Sequence, residues 1–271
     1  MKTFVRTQIP ITHSQFQVDY THGSKKTSQF NASFSQPIRS PNSVHPTLAT
    51  LTSAVFQQTS ESIASGYKNL GRGVNLDLAF LSAPQASHLL RTEAVWRELT
   101  SINSGTSFAV REHCGHTLKT ALQHILTVDR RDDPMFPNEG SLFRLSQEFA
   151  GAAGDIGFFK NELEVQANLP VFFEKCVLQS SFQCGLIKRL PSTSGDKTMT
   201  IADKFFLGGP LNVRGFDTRG LGPSSGNNAL GGEMYWATGN TLLDEVNIVL
   251  RLKTGVSHII QRSWKGFYYT L

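Results

Sequence analysis

Four clusters in this sequence hold residue types that could do chemistry. Gly222-Pro-Ser224-Ser-Gly226 matches the Gly-x-Ser-x-Gly pattern of serine hydrolases. That pattern exposes a nucleophile only on a tight turn from strand into helix. No helical period follows here, and a loop rich in Pro and Gly yields the same letters. His113, Cys114 and His116 are metal-ligand types at close spacing. A structural zinc site needs four ligands and no fourth lies near, so a polar turn between strands is the better reading. Asn31-Ala-Ser33 is a glycosylation sequon placed inside an alternating segment. Asp132 and Asp133 sit in a Pro-containing turn and read as solvated loop carboxylates. No catalytic, metal or cofactor site follows from these residues, and no enzyme is expected.

The elements that would position such residues are strands. Period two dominates the chain. Phe16, Val18 and Tyr20 alternate with Gln17, Asp19 and Thr21, and Phe30, Ala32 and Phe34 with Asn31, Ser33 and Ser35. Val74, Leu76, Leu78 and Phe80 interleave with Asn75 and Asp77. In Phe159–Leu169, Leu163, Val165, Ala167 and Leu169 share a face with Phe159, and Asn161 is the exception. Lys160, Glu162, Glu164, Gln166 and Asn168 take the other face. Weaker alternation marks 47–57, 87–99, 105–112, 117–129, 141–151, 171–187 and 229–238, about eleven strands in all. Leu118, Leu122 and Ile125 would also suit a helix. Turn residues separate the runs: His22-Gly23-Ser24, Pro37 to Pro46, Pro84, Asn103-Ser104-Gly105, Pro134 to Gly140 and Gly151 to Gly157. Many antiparallel strands make a barrel or a sandwich. Strands of ten or more residues, with charges in series on the polar face, point to an antiparallel transmembrane β-barrel with a wet lumen. A soluble sandwich with one solvated face shares the period.

Composition narrows the partners. Charged residues are 17% of the 271, below the roughly 25% of soluble domains. Ser, Thr, Asn, Gln and Gly take their place, and Phe reaches 19. The net charge of +5 is spread along the chain without a basic stripe, so nucleic acid is not an expected partner. No run of about 18 apolar residues marks a membrane helix, and no secretory leader is recognised at the start. A barrel crosses with strands and needs neither. Cys114, Cys176 and Cys184 are an odd, scattered set, which argues against a disulfide framework.

Residues 188–230 break the alternation. They hold Ile201-Ala-Asp-Lys-Phe-Phe-Leu-Gly208-Gly209-Pro210, Leu211-Asn-Val213-Arg214-Gly215-Phe216, Leu221-Gly-Pro-Ser-Ser-Gly226 and Leu230-Gly-Gly-Glu-Met-Tyr-Trp236. A loop this long is functional or disordered, and Phe205, Phe206, Leu207, Val213 and Phe216 are too apolar for a solvated linker. It should fold back into the barrel lumen. The ordered set Phe206-Leu-Gly-Gly-Pro210, Val213-Arg-Gly-Phe216, a Gly-Pro pair and Leu230-Gly-Gly-Glu-x-Tyr-Trp236 resembles the sixth-loop signature of the outer-membrane protein-assembly superfamily. Val95-Trp-Arg-Glu-Leu99, Ser107-Phe-Ala-Val-Arg111 and Gln147-Glu-Phe-Ala-Gly151 resemble its mitochondrial sorting-and-assembly branch.

The resemblance covers about residues 14–238 and implies the following. The function is insertion and assembly of β-barrel precursor proteins into the mitochondrial outer membrane, without cofactor. The partners are membrane lipid, the precursors and other subunits of a sorting and assembly complex. The binding residues are those of the loop: Gly208, Gly209, Pro210, Val213, Arg214, Gly215 and Phe216. Arg214 would reach into the lumen, with Glu148, Glu162 or Glu164 as substitute partners where the family's later strands are missing, or would stay solvated in an open lumen. The expected organisation is a divergent segment 1–13, a membrane barrel 14–238 including loop 188–229, and a divergent tail 239–271. Family barrels have about sixteen strands, so the chain reads as truncated at both ends. Counted from Gln15 as the family's second strand, Met1 and the loop share the cytosolic face. A passive or secretion-type channel of the same superfamily, or an inactive truncated fragment, are the alternatives.

Overall fold

The protein is described by a computed structural model covering residues 3–11, 14–23, 27–39, 48–171, 176–190, 199–210, 212–213, 215–244, 258–260, 262–263 and 266–267. Alternation becomes one antiparallel meander. Its strands are β1 (Thr3–Ile11), β2 (Ser14–His22), β3 (Ser28–Arg39), β4 (Leu48–Ser62), β5 (Tyr67–Ala83) and β6 (Ala86–Ser101). After a helical turn α1 (Phe108–Arg111) come β7 (Gly115–Asp129), β8 (Gly140–Gly154), β9 (Phe158–Val171) and β10 (Cys176–Arg189). The loop carries a two-residue hairpin, β11 (Ser224–Ser225) and β12 (Asn228–Ala229), before β13 (Met234–Asp244) and β14 (His258–Ile260). A last small hairpin joins β15 (Arg262–Ser263) and β16 (Gly266–Phe267). Among the described residues one sheet runs in the order β1 to β10, β13, β14, twelve strands in all.

Strand length fits a membrane. β5 and β6 have 17 and 16 residues, where about 9–11 tilted residues cross the hydrocarbon. Register sorts the side chains. Leu163 pairs with Leu145 and Cys184, and Val165 with Phe143 and Phe182. These belong to a face that leaves Phe143, Phe149, Phe182, Val74, Leu76 and Leu122 exposed. The opposite face holds Lys160, Glu162 and Glu164 and carries the loop; it is the inner face here. Asn161 is outward, as its parity demands, and accepts a bond from Gln147 Nε2 across the strand pair at 3.3 Å. That pairing satisfies an amide on a largely apolar face. A second outward polar pair joins His88 Nδ1 and His124 Nε2 at 3.0 Å, with His88 stacked on Phe80.

Two expectations about strands are corrected. Residues 105–112 are not a strand: 108–111 make one helical turn, with Arg111 N bonding Ser107 O at 3.1 Å. Phe108 and Val110 would share a face in a strand, yet Phe108 is 71% exposed and Val110 fully buried. Val110 packs with Tyr67, Leu99 and Ile201 at the loop's end of the sheet, and that burial overrides the local period. The first strand is also not Gln15–Thr21. β1 precedes it, paired with β2 from Thr3↔His22 to Ile11↔Ser14. Losing one strand and gaining one leaves the parity unchanged. In the ten-strand meander, Thr3 and the root of the loop after Arg189 lie at the same end. Leu118–Val128, which also suited a helix, is strand β7. The possible late strand at 246–252 lies outside the described residues.

Candidate functional site

The loop lies on the inner face over β6–β10. Its two ends are clasped together: Ile187 N donates to Glu233 O at 2.7 Å, and Arg189 pairs with Glu233 at 2.6 Å. Beyond the clasp the chain enters the sheet's concavity as a short 3-10 turn, Ile201–Asp203. Phe205 bridges Gly232 in both directions, N–H to O at 3.0 and 2.9 Å. That fixes the aromatic run Phe205-Phe206-Leu207 against the wall. Phe205 meets Tyr235 edge-on at 4.7 Å and lies under the Lys160 ammonium at 4.5 Å. The wall is built small there. Ala121, Ala150 and Phe158 pack with Phe205, Met199, Ile156 and Ile187. Gly185 leaves room for both rings; a Cβ on it would lie 2.4 Å from Tyr235 and 2.6 Å from Phe205.

One turn earlier sits a charge cluster that sequence reading missed. Asp203, 5% exposed, is carried in by the loop. Arg97 Nη1 of β6 donates to its Oδ1 at 2.6 Å, and Thr200 Oγ1 donates to Oδ2 at 2.5 Å. Lys119 Nζ of β7 stands 3.7 Å from the same carboxylate, contacts Glu148 of β8, and reaches Glu93 of β6 at 3.1 Å. Burial opposes ionisation of Asp203, but the facing Arg97 and Lys119 charges and the bonds from Thr200 and Arg97 outweigh it and hold the carboxyl below the usual range. Burial pushes the neighbouring Lys204 ammonium down. Parity could have found the wall residues: Glu93, Val95, Arg97 and Leu99 share one face. Asp203 carried a weaker signal, a lone acid at the head of an aromatic run.

The motif residues lie farther along. Gly208 (φ +107°) and Gly209 (φ +106°) turn the chain so that Leu207 bridges Leu221. A Cβ on Gly208 would meet the Asp217 carbonyl oxygen at 2.5 Å, so the close return needs glycine. Pro210 is exposed, Val213 is buried, Gly215 has φ +92° with open space around it, and Phe216 is 52% exposed. Arg214 lies outside the described residues. Its three suggested partners are engaged: Glu148 with Lys119, Glu162 with Lys160 at 2.9 Å, and Glu164 with Gln183 at 3.0 Å. A second arginine, unmarked in the sequence reading, makes the visible contacts. Arg219, at φ +60°, donates to Ser65 Oγ at 3.0 Å and Tyr67 Oη at 3.1 Å, and its guanidinium lies 3.9 Å over Phe206. It ties the loop to the β4–β5 turn. Ala229 N adds to that tie by donating to Ala64 O at 2.9 Å, and Asn228 Oδ1 accepts from Ser107 N at the start of α1 at 2.9 Å.

The other clusters do not assemble. His116 points outward beside Trp96 at 5.5 Å, while Cys114 Sγ turns back to Val110 O at 3.7 Å. Ser224 belongs to the β11–β12 hairpin with Ala229 as partner, not to a strand-to-helix turn. Asp132 and Asp133 accept from Asn138 and Met135 backbone N–H groups and shape their own loop. What the geometry provides is a seated loop, not a reaction centre.

A family model described as the Omp85 superfamily domain matches residues 12–255. The sorting and assembly machinery component 50 homolog of Mus musculus is 37% identical over 221 residues, 81% of this chain and 45% of that protein. Its Homo sapiens counterpart is 35% identical over the same shares. The chain thus spans about half the length of the curated relatives it matches. Among solved structures, BamA from Haemophilus ducreyi lacking POTRA domains 1-3 superposes with a TM-score of 0.72 at 16% identity, covering 91% of this chain and 51% of that one.

Proposed function

Because the chain belongs to the Omp85 superfamily, we propose that it serves the insertion and assembly of β-barrel precursor proteins in the mitochondrial outer membrane. The observation that carries this reading is the seated loop on the inner face of a sheet whose outer face is apolar. The chain's similarity to sorting and assembly machinery component 50 homologs supports that setting. The working unit is the membrane sheet from about 14 to 238 with its loop 188–229, to which β1 adds a strand. Its partners are lipid, precursor strands and further subunits of a sorting and assembly complex. The work is non-covalent. A precursor strand would be taken up by pairing along a sheet edge, since unpaired backbone groups in lipid are strongly unfavourable. The Val213–Phe216 segment, with Gly208, Gly209 and Pro210 shaping its return, is the part of the loop that would meet the precursor.

The test is complementation. Mitochondria depleted of their own relative are supplied with this chain, and a radiolabelled β-barrel precursor is imported. Recovery of carbonate-resistant, heat-modifiable precursor is expected. If this chain resists carbonate extraction yet the precursor stays extractable, the assembly reading fails and a passive channel or an inactive fragment remains. If the chain itself is extracted as a soluble monomer, the membrane reading fails with it.

A further inference from the structure

We propose that Asp203 is the residue that seats the loop on the inner face, acting at the loop's root and ahead of the Val213–Phe216 motif. Three observations carry it. Asp203 is the loop's own carboxylate in a cluster otherwise supplied by three wall strands: Arg97 and Glu93 on β6, Lys119 on β7 and Glu148 on β8. The wall can balance Lys119 by itself, through Glu93 and Glu148. Arg97 is different: Glu93 and Glu148 act on it through space, but its ion pair is with Asp203, so a withdrawn loop leaves this largely buried guanidinium without its hydrogen-bonded counter-charge. Both Asp203 oxygens are engaged, one by Arg97 and one by Thr200. The bond to Thr200 shapes the 3-10 turn that delivers the carboxylate, so the local fold and the ion pair form together.

Position explains the effect. Asp203 precedes Phe205 by two residues, so its pairing sets the depth at which Phe205 meets Gly185 and Tyr235. A buried, hydrogen-bonded ion pair is directional and is not replaced by water without leaving a charge unmatched. Apolar contact alone would let the aromatic run slide. Seating is thus divided between a polar latch at the root and the Arg219 tie to the β4–β5 turn farther along. The inference takes the importance of a seated loop from the assembly reading above, but its test reads seating directly.

The full chain, refolded in detergent, is digested with trypsin at 25 °C, and cleavage after Lys204 and Arg219 is followed by mass spectrometry. The heat-modifiable band on unheated gels reports the wall. Cleavage tracks the fraction of open loop when closing is fast. Asp203→Asn and Arg97→Met are each expected to speed cleavage about tenfold with the folded band retained, and the double variant no more than either alone. Multiplicative effects, near a hundredfold, would show that the two residues act separately and would overturn the proposal. Unchanged cleavage in Asp203→Asn would overturn it too, as would loss of the folded band, which would make Asp203 a residue of the wall. Precursor import into membranes carrying the same variants is scored independently. A loop that opens while import is normal sinks the link to assembly and leaves the latch standing.

Discussion

Gly185→Ala should unseat Phe205 without breaking the sheet. The added Cβ would stand 2.4 Å from Tyr235 Cε1 and 2.6 and 2.9 Å from Phe205 Cζ and Cε1. Carbon contacts are comfortable near 3.5–4.0 Å, so the rings must give about 1 Å. The Tyr235 ring has little freedom while Phe205 stands edge-on against it at 4.7 Å. Phe205 belongs to the loop and is the ring that yields. Overpacking of this kind costs about 1–3 kcal/mol, and surrendering the burial of a phenylalanine costs about the same. The protein pays whichever is smaller, so a loss of about 1–2 kcal/mol is expected. Urea titration read by the heat-modifiable band gives the total. Trypsin cleavage after Lys204 gives the part that belongs to the loop. In a Phe205→Ala background Tyr235 can swing into the vacated space, and Gly185→Ala should cost less than about 0.5 kcal/mol. Equal cost in both backgrounds, or no cost in the wild type, would refute the argument that this glycine exists to admit the loop.

Three further outcomes are expected. Arg219→Ala removes two hydrogen bonds and the contact with Phe206, and should speed hydrogen exchange in 205–221 by an amount equivalent to about 1–2 kcal/mol while β2–β10 exchange as before. His88→Leu with His124→Leu replaces an outward polar pair by apolar side chains; stability in vesicles should hold or rise, since polar groups on a lipid face are unfavourable, and a loss above about 1 kcal/mol would argue against a lipid-facing position. Acid should release the loop's root. Asp203 has a depressed carboxyl pKa in the folded state, so its contribution is full above the unfolded carboxylate pKa and is lost as pH falls through the folded value. Exchange in 199–207, corrected for the intrinsic rate, should rise on acidification in the wild type and stay flat in Asp203→Asn.

The sheet was legible because its signal is additive over many residues. Every inward and outward assignment in 159–169 follows from parity, including Asn161, whose outward place is made tolerable by Gln147 on the next strand. The segment 105–112 misled because Phe108 and Val110 alternate like a strand. The burial of Val110 under Ile201 is a contact across some ninety residues, which no local period encodes. β1 went unread because Pro10 interrupts a mixed run, yet a proline is tolerated at an edge, and β1 is an outer strand of the sheet among the described residues. In the loop, the motif drew attention to Gly208 and Gly209, and both have the positive φ that favours glycine. It passed over Asp203, Arg97, Lys119 and Arg219. Their meaning lies in pairing between β6, β7, the β4–β5 turn and the loop, and a motif match directs the eye to Arg214 instead.

The distribution of these contacts makes the inner face asymmetric. Over β6–β10 small residues and the Arg97–Asp203–Lys119 cluster grip the loop. Over β3–β6 the same face lines a cavity of about 550 Å³ with Gln29, Asn31, Ser33, Gln58, Asn69 and Asn75. Arg91 grips Asp77 there with two bonds of 2.8 and 2.9 Å, and Glu93 and Arg97 stand on the border between the cavity and the loop's cluster. A wall of amides and hydroxyls can pair with any extended backbone, whereas the opposite wall is shaped for one segment of its own chain. The loop therefore has one favoured berth, and the space beside it stays polar and adaptable. Displacing the loop requires parting Arg97 from Asp203. Arg97 also lines the cavity, so the hold on the loop and the accommodating surface meet at this one side chain.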